Sequence, residues 1–184
     1  MDLTGKLLIA MPGMGDPRFD HSVVYMCSHG EEGAMGLIVN KPSDLRIKTL
    51  LGQLNIACRI PVVGERLVHF GGPVEMSRGF VLHSSDYDAN LHSTRITDDF
   101  SMTATLDVLE DLASGNGPLN STLALGYSGW GPGQLEDEIA MNGWLTTEAT
   151  SKLVFDVPDD EKWEAALATL GVDPLTLSAS AGRA

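Results

Sequence analysis

LGYSGWGPGQLEDEIAMNGWL, running from Leu125 to Leu145, joins a strand-like stretch to an acidic helix through a glycine-rich connection. Thr122 to Tyr127 reads as a buried strand. Gly126, Gly129, Gly131 and Gly133 then alternate with Ser128, Trp130 and Pro132, a spacing that predicts a turn. Glycine has no Cβ, so such positions admit positive φ and let a second backbone or a ligand come close. The sequence leaves both uses open.

The helix after that turn carries two readings. At about 100° per residue, Leu135 and Ile139 share one face, while Gln134, Glu138 and Asn142 form a polar stripe along its edge. Glu136 and Asp137 face solvent. Acidic residues in the first turns suit the positive end of the helix dipole, and Gly143 stands where a left-handed cap is expected. The stripe is either the edge of an ordinary capped amphipathic helix or one wall of a groove floored by the glycine turn. On the second reading the ligand-binding candidates are Gly129, Trp130, Gln134, Glu138 and Asn142, with His83 contributed from a strand end elsewhere.

A chain of 184 residues suits one domain, with 43% hydrophobic residues of an ordinary globular mix. Twenty-five acidic against twelve basic residues give a formal charge of -13, which repels a phosphate backbone at long range. The densest basic spot, Lys41, Arg46 and Lys48, is small, so direct nucleic-acid binding is disfavoured. Cys27 and Cys58 are the only cysteines, and the apolar run Leu7 to Met11 is too short for a signal sequence or a membrane span. The expectation is a cytoplasmic chain with reduced thiols and no membrane partner.

Outward from the central stretch, Leu7 to Met11 predicts a strand buried on both faces and Ser22 to Cys27 a second. HGEEGAMG connects into a third at Gly36 to Asn40. Ile47, Leu50, Leu51 and Leu54 then fall at helical spacing, with Ser43 or Asp44 as N-cap. Val68 to Phe70 and Gly79 to His83 predict strands on either side of the turn Gly71 to Pro73, and Thr94 to Thr97 an edge strand. Leu106 to Ala113 reads as a helix ended by Gly115, Lys152 to Val157 as a strand, and the residues from Pro158 as a helix lined by Trp163, Leu167 and Leu170. Paired strands interrupted at irregular intervals favour α+β with a mixed sheet.

Familiar catalytic patterns are incomplete. Gly126-Tyr127-Ser128-Gly129-Trp130 misses the nucleophile elbow because Trp130 takes the last glycine position. Gly13 and Gly15 lack the residues that complete a dinucleotide or phosphate loop. Cys27 and His29, with His21 nearby, have no metal-ligand spacing, so neither metal nor cofactor is expected. Gly71, Gly72 and Pro73 with Arg78 read either as an anion nest or as a simple chain reversal.

Taken together, LLIAMPGMGDPRFDHSVVYMC, GAMGLIVNKP, GGPVEMSRGFVLH, LALGYSGWGPGQLEDEIAMNGWL, LVFD before Trp163, and the terminal AGRA resemble the AlgH/YqgE family across essentially the whole chain. The family has no assigned biochemical activity. The resemblance implies an α+β protein with a coiled, partly bifurcated mixed β-sheet flanked by helices, and a small subdomain at about residues 41–66. It also brings the label of transcriptional regulator, and no catalytic residues. Two positions depart from the family pattern: Ser128 stands where Ala is expected, and Arg183 where the family ending has His. The function expected is regulation through an unidentified protein or small-molecule partner. The alternative is an enzyme of unfamiliar type built on Glu138, Asn142 and His83 around Gly129 to Gly133.

Overall fold

The computed structural model describes residues 1–177, so the ending Ala181 to Ala184 lies outside the described residues. In chain order the strands and helices are β1 (Lys6–Ala10), β2 (Val23–Gly30), β3 (Gly33–Ile38), β4 (Pro42–Arg46), α1 (Ile47–Gln53), α2 (Pro61–Gly64) and β5 (Leu67–Phe70). These are followed by β6 (Val74–Ser84), β7 (Ser93–Arg95), β8 (Phe100–Thr103), α3 (Leu106–Ser114), β9 (Ser121–Trp130), α4 (Gln134–Ala140), β10 (Trp144–Glu148) and α5 (Lys162–Ala168). The sheet runs β10-β1-β2-β3-β9-β6-β8-β7, with β4 and β5 as a branch. β5 lies parallel to β9, while the other pairings are antiparallel, so the sheet is mixed.

The branch is a fork. β3 pairs with the end of β9 from Ala34↔Trp130 to Gly36↔Ser128, then parts from it. β5 occupies the opening, with His69 beside Ala124 and Phe70 beside Leu125. Gly71 sits at the crotch: its N–H donates to Leu125 O and its carbonyl accepts from Ile38 N, both at 2.9 Å. β6 then runs along the other edge of β9, from Val74↔Tyr127 to His83↔Ser121.

To join β5 to β6, the chain Gly71-Gly72-Pro73 must cross the face of β9. The crossing falls on Gly126, and a Cβ there would stand 2.3 Å from Gly72 O; one on Gly72 would stand 2.1 Å from the carbonyl carbon of Tyr127. Both residues also hold positive φ, +76° and +154°. The buried Ser128 hydroxyl donates to Gly71 O at 3.1 Å, which ties the crossing down. The expected turn over Gly126 to Gly133 is therefore corrected: β9 continues through Trp130, and only Gly131 to Gly133 turn. The anion-nest reading of Gly71 and Gly72 gives way to chain packing, because Gly71 has its donor and acceptor bonded within the sheet.

Three apolar clusters cover the sheet. On one face Leu7, Ile9, Tyr25, Leu37 and Phe100 meet Leu153, Val154, Trp163 and Leu167. The opposite face packs Leu8, Val24, Met26 and Ile38 under Trp130, Leu135 and Trp144. Beside the fork, Ile47, Leu51, Val63, Leu109 and Leu112 close over Val81 and Leu123. Lys152–Asp156, expected as a strand, is a π-helical turn. A short apolar run does not distinguish strand from helix by period, and here one turn sends both Leu153 and Val154 to the sheet.

Smaller differences follow local hydrogen bonding. Ser43 and Asp44 lie on β4 rather than capping α1, and Ser43 Oγ donates to Val68 O at 2.6 Å. Asn142, at φ +60°, takes the left-handed position expected of Gly143. A 3-10 turn, Asp159–Glu161, precedes α5, so the last helix starts later than Pro158. β8 and β10 were not legible as strands: Ser101, Thr103, Thr146 and Thr147 blur the alternation.

Gly126→Ala is expected to cost about 3 kcal/mol or more of unfolding free energy in urea titration, since it combines a strained φ with a backbone collision. Gly133→Ala, at φ +75° but with open space around it, should cost only about 1 kcal/mol.

Candidate functional site

The polar stripe of α4 is a clamp. Gln134 and Glu138, one turn apart, face the end of β9 and the start of β10. Gln134 Oε1 accepts from Gly131 N at 3.0 Å, and Gln134 Nε2 donates to Glu138 Oε1 at 3.1 Å. Glu138 Oε2 accepts from two indoles, Trp130 Nε1 at 2.9 Å and Trp144 Nε1 at 2.8 Å. The two rings meet edge-on, 5.9 Å apart at 77°. Both tryptophans are buried, and a buried indole N–H needs an acceptor, so one carboxylate satisfies both. Asn142 lies past the helix end, exposed, its backbone N–H bonded to Ile139 O.

A histidine pins the other side of the same helix. Leu3 N–H donates to His29 Nδ1 at 3.0 Å, so the ring proton sits on Nε2, which donates to Glu136 Oε1 at 2.5 Å. Its own backbone amide, and then His29, hold the Glu136 carboxyl below its ordinary range. Cys27 belongs to the opposite face of the sheet, where burial pushes its thiol up to about 12, so it is neither a thiolate nor a partner for His29. Among the described residues no cluster of histidine, cysteine and carboxylate side chains is placed to hold a metal ion.

His83 stands apart from α4, inside β6, at the end of an ordered hydrogen-bond chain. Ala89 N–H donates to Ser93 Oγ at 3.0 Å, and Ser93 lies 2.7 Å from Thr103 Oγ1. Thr103 in turn is 2.8 Å from His83 Nε2, while His83 Nδ1 is 2.8 Å from Ser84 O. A carbonyl only accepts, so the proton is on Nδ1 and Nε2 accepts from Thr103. Burial lowers the pKa of this imidazole, against an opposing push from the Ser84 carbonyl.

Two of the sequence candidates, Gly129 and Trp130, do border open space. A groove of about 930 Å³ lies between the tip of the β2–β3 hairpin and the start of β6. Met35, Phe80, Met102 and Tyr127 floor it, part of the sheet face that α5 covers elsewhere. Glu31 and Glu32 are exposed on one rim. On the other, the pairing of β6 with β9 jumps from Val74 to Gly79, and Glu75 to Arg78 bulge outward from a φ of +46° at Glu75. Arg78 lies 5.0 Å over the ring of Phe80 and 3.5 Å from Glu75. β8 reaches β6 only at Val81, so β6 from Val74 to Phe80 has no strand neighbour on that side among the described residues.

Gln134, Glu138, Asn142 and His83 do not line this groove. Its floor escaped sequence reading because four strands distant in sequence supply it. The one local signal was Gly129, an exposed glycine within a strand, which leaves room on the floor beside the Tyr127 ring and Val74.

Glu138→Leu strands two buried indole N–H groups and is expected to cost about 2–4 kcal/mol, read as a fall in urea midpoint. Glu138→Gln keeps one acceptor for both rings and should cost about 1 kcal/mol. His83 is a base with a lowered folded pKa, so its contribution is complete above its unfolded value near pH 6.5 and is lost as pH falls through the folded value. Unfolding free energies measured from pH 7.5 to pH 5 should therefore fall more steeply for the native chain than for His83→Gln.

The comparisons with known proteins agree with this architecture. A family profile described as AlgH-like, DUF179, matches residues 7–175. A UPF0301 protein of Ruegeria pomeroyi is 65% identical over 184 residues, covering 100% of both chains. One from Paraburkholderia phymatum is 48% identical over 100% of this chain and 96% of its own. The solution structure of AlgH from Pseudomonas aeruginosa superposes with a TM-score of 0.81 at 42% identity, over 100% of this chain and 97% of that one. The crystal structure of a Corynebacterium diphtheriae protein shares the fold, with a TM-score of 0.74 at 21% identity over 95% and 89% of the two chains. A profile match across most of the chain, together with these full-length relatives, makes this protein a member of the AlgH-like UPF0301 family.

Proposed function

We propose that this chain is a cytoplasmic regulatory protein that acts by recognition, and that its partner is an extended polypeptide segment with alternating basic and apolar side chains. The observation that carries the reading is the groove: an apolar floor left open beside an acidic hairpin tip and an unpaired stretch of β6. An extended segment gains main-chain hydrogen bonds from such an edge, while pockets read alternate side chains. Apolar side chains of the segment rest on Met35, Met102 and Tyr127; basic ones meet Glu31 and Glu32. The formal charge of -13 steers a cationic partner and repels nucleic acid, so regulation runs through protein contact. Among the described residues no helix is long and apolar enough to cross a membrane.

The enzyme alternative draws less support. General acid or base work needs a group free to exchange a proton within about 3 Å of the reacting atom. Glu138 has both oxygens bonded, and His83 is held in one tautomer by Thr103 and Ser84.

A fluorescein-labelled peptide of alternating lysine and valine should raise its anisotropy with the native chain, and one of alternating glutamate and valine should not. Glu31→Lys with Glu32→Lys should weaken binding about tenfold, and Gly129→Leu, which fills the floor, should abolish it without lowering the urea midpoint. Equal binding of the two peptides, or indifference to both variants, would overturn the proposal.

A further inference from the structure

A second cavity, of about 420 Å³, opens between the start of β9, β5 and the segment that leads into α5. Its charged wall is an uncommon one. Lys162, the first residue of α5, is only 5% exposed. Its ammonium donates to Asp159 Oδ1 at 2.8 Å, and Asp159 Oδ2 accepts from His69 Nε2 at 2.9 Å. With the His69 proton on Nε2, the buried and unpartnered Nδ1 is a bare lone pair, which is cheaper to bury than a stranded N–H. Burial alone would raise the pKa of Asp159; the hydrogen bonds from His69 and Lys162 outweigh it and keep the carboxyl below its ordinary range. Asp159 is thus an anion with both oxygens engaged.

Lys162 is not so well satisfied. An ammonium has three donors, and among the described residues Asp159 is its single acceptor. A buried cation with unfilled donors is costly unless something else fills them. On the same cavity wall Arg66 extends from the residue before β5, its Nη1 3.4 Å from Ser121 Oγ. The remaining acid of the wall, Asp156, is exposed. Leu67, Leu123, Phe155 and Val157 supply the apolar part of the lining, beside the polar Asn120, Ser121 and Thr122.

We propose that this cavity is a binding site for a small amphipathic carboxylate. Its head takes the open donors of Lys162 and the Arg66 guanidinium, assisted by the Ser121 hydroxyl. Its apolar body lies against Leu123 and Phe155. The cavity volume is in the range that holds a small organic molecule. Asp159 orients Lys162 as a positioning residue, holding one ammonium donor on Oδ1 while Oδ2 is held by His69. The site is independent of the hairpin groove, since the two share no lining residue.

The test is a titration of the full chain, labelled with ¹⁵N, by 4-phenylbutyrate, with 4-phenylbutan-1-ol and 4-phenylbutylamine as neutral and cationic isosteres. The carboxylate is expected to give saturable amide shifts at Ser121, Leu123 and Phe155, with a Kd at least tenfold below those of the alcohol and the amine. Lys162→Met should raise that Kd about tenfold and Arg66→Gln several-fold. Lys162→Met also removes a partner of Asp159; if it does not fold, the exposed Arg66→Gln decides. Isosteres that bind as well as the carboxylate, shifts confined to other residues, or an unchanged Kd in Arg66→Gln would each overturn the assignment.

Discussion

The contact of Gly72 with Gly126 is the constraint on which the architecture rests. A strand flanked on one edge by β5 and on the other by β6 needs a connection that passes over it, and a two-layer backbone crossing at this distance excludes any Cβ. The forked sheet follows. β3 must leave β9 to admit β5, Gly71 must bond to both, and Ser128 must point at the crossing rather than at solvent. A residue larger than glycine at the crossing would push the connection away from β9, and the hydrogen bonds on both of its edges would lengthen together.

Those glycines were visible in the sequence, but not their use. Spacing marked Gly126, Gly129, Gly131 and Gly133 as conformationally special, yet a turn and a strand crossed by another chain both call for glycine. The difference lies in a segment more than fifty residues earlier, which no local pattern reports. Where a signal is local, it was legible: Ile47 and Leu51 face the core at helical spacing, and Gly115 ends α3 at φ +86°. The α+β class with a mixed sheet was legible in the irregular pairing of strand-like runs, the fork was reached through the resemblance, and the fold agrees with both. The π-helical turn at Lys152–Asp156 was hidden because its apolar residues suit either period.

The candidate site divides along the same line. Gln134 and Glu138 were correctly placed on one edge of α4, since i to i+4 spacing is a property of the helix itself. What that edge faces depends on Trp130 and Trp144, brought together by strands β9 and β10. Their two indole N–H groups turn a free-looking carboxylate into a structural acceptor. His83 shows a similar effect: Ser93 and Thr103, from two later strands, complete the chain that holds its proton in place. The open surface is instead built from residues that no motif gathers, with Met35, Phe80, Met102 and Tyr127 each on a different strand.

The fork also carries a history. β9 is the common neighbour of β3, β5 and β6, yet it follows all of them in the chain. As the polypeptide leaves the ribosome, three strands accordingly wait with bare edges until Ser121 to Trp130 emerges to thread the slot between them. Unpaired edges of this kind are prone to pair with other chains. The strand that joins the two halves of the sheet arrives late, so until it emerges the flanking edges stay open to pairing with other chains.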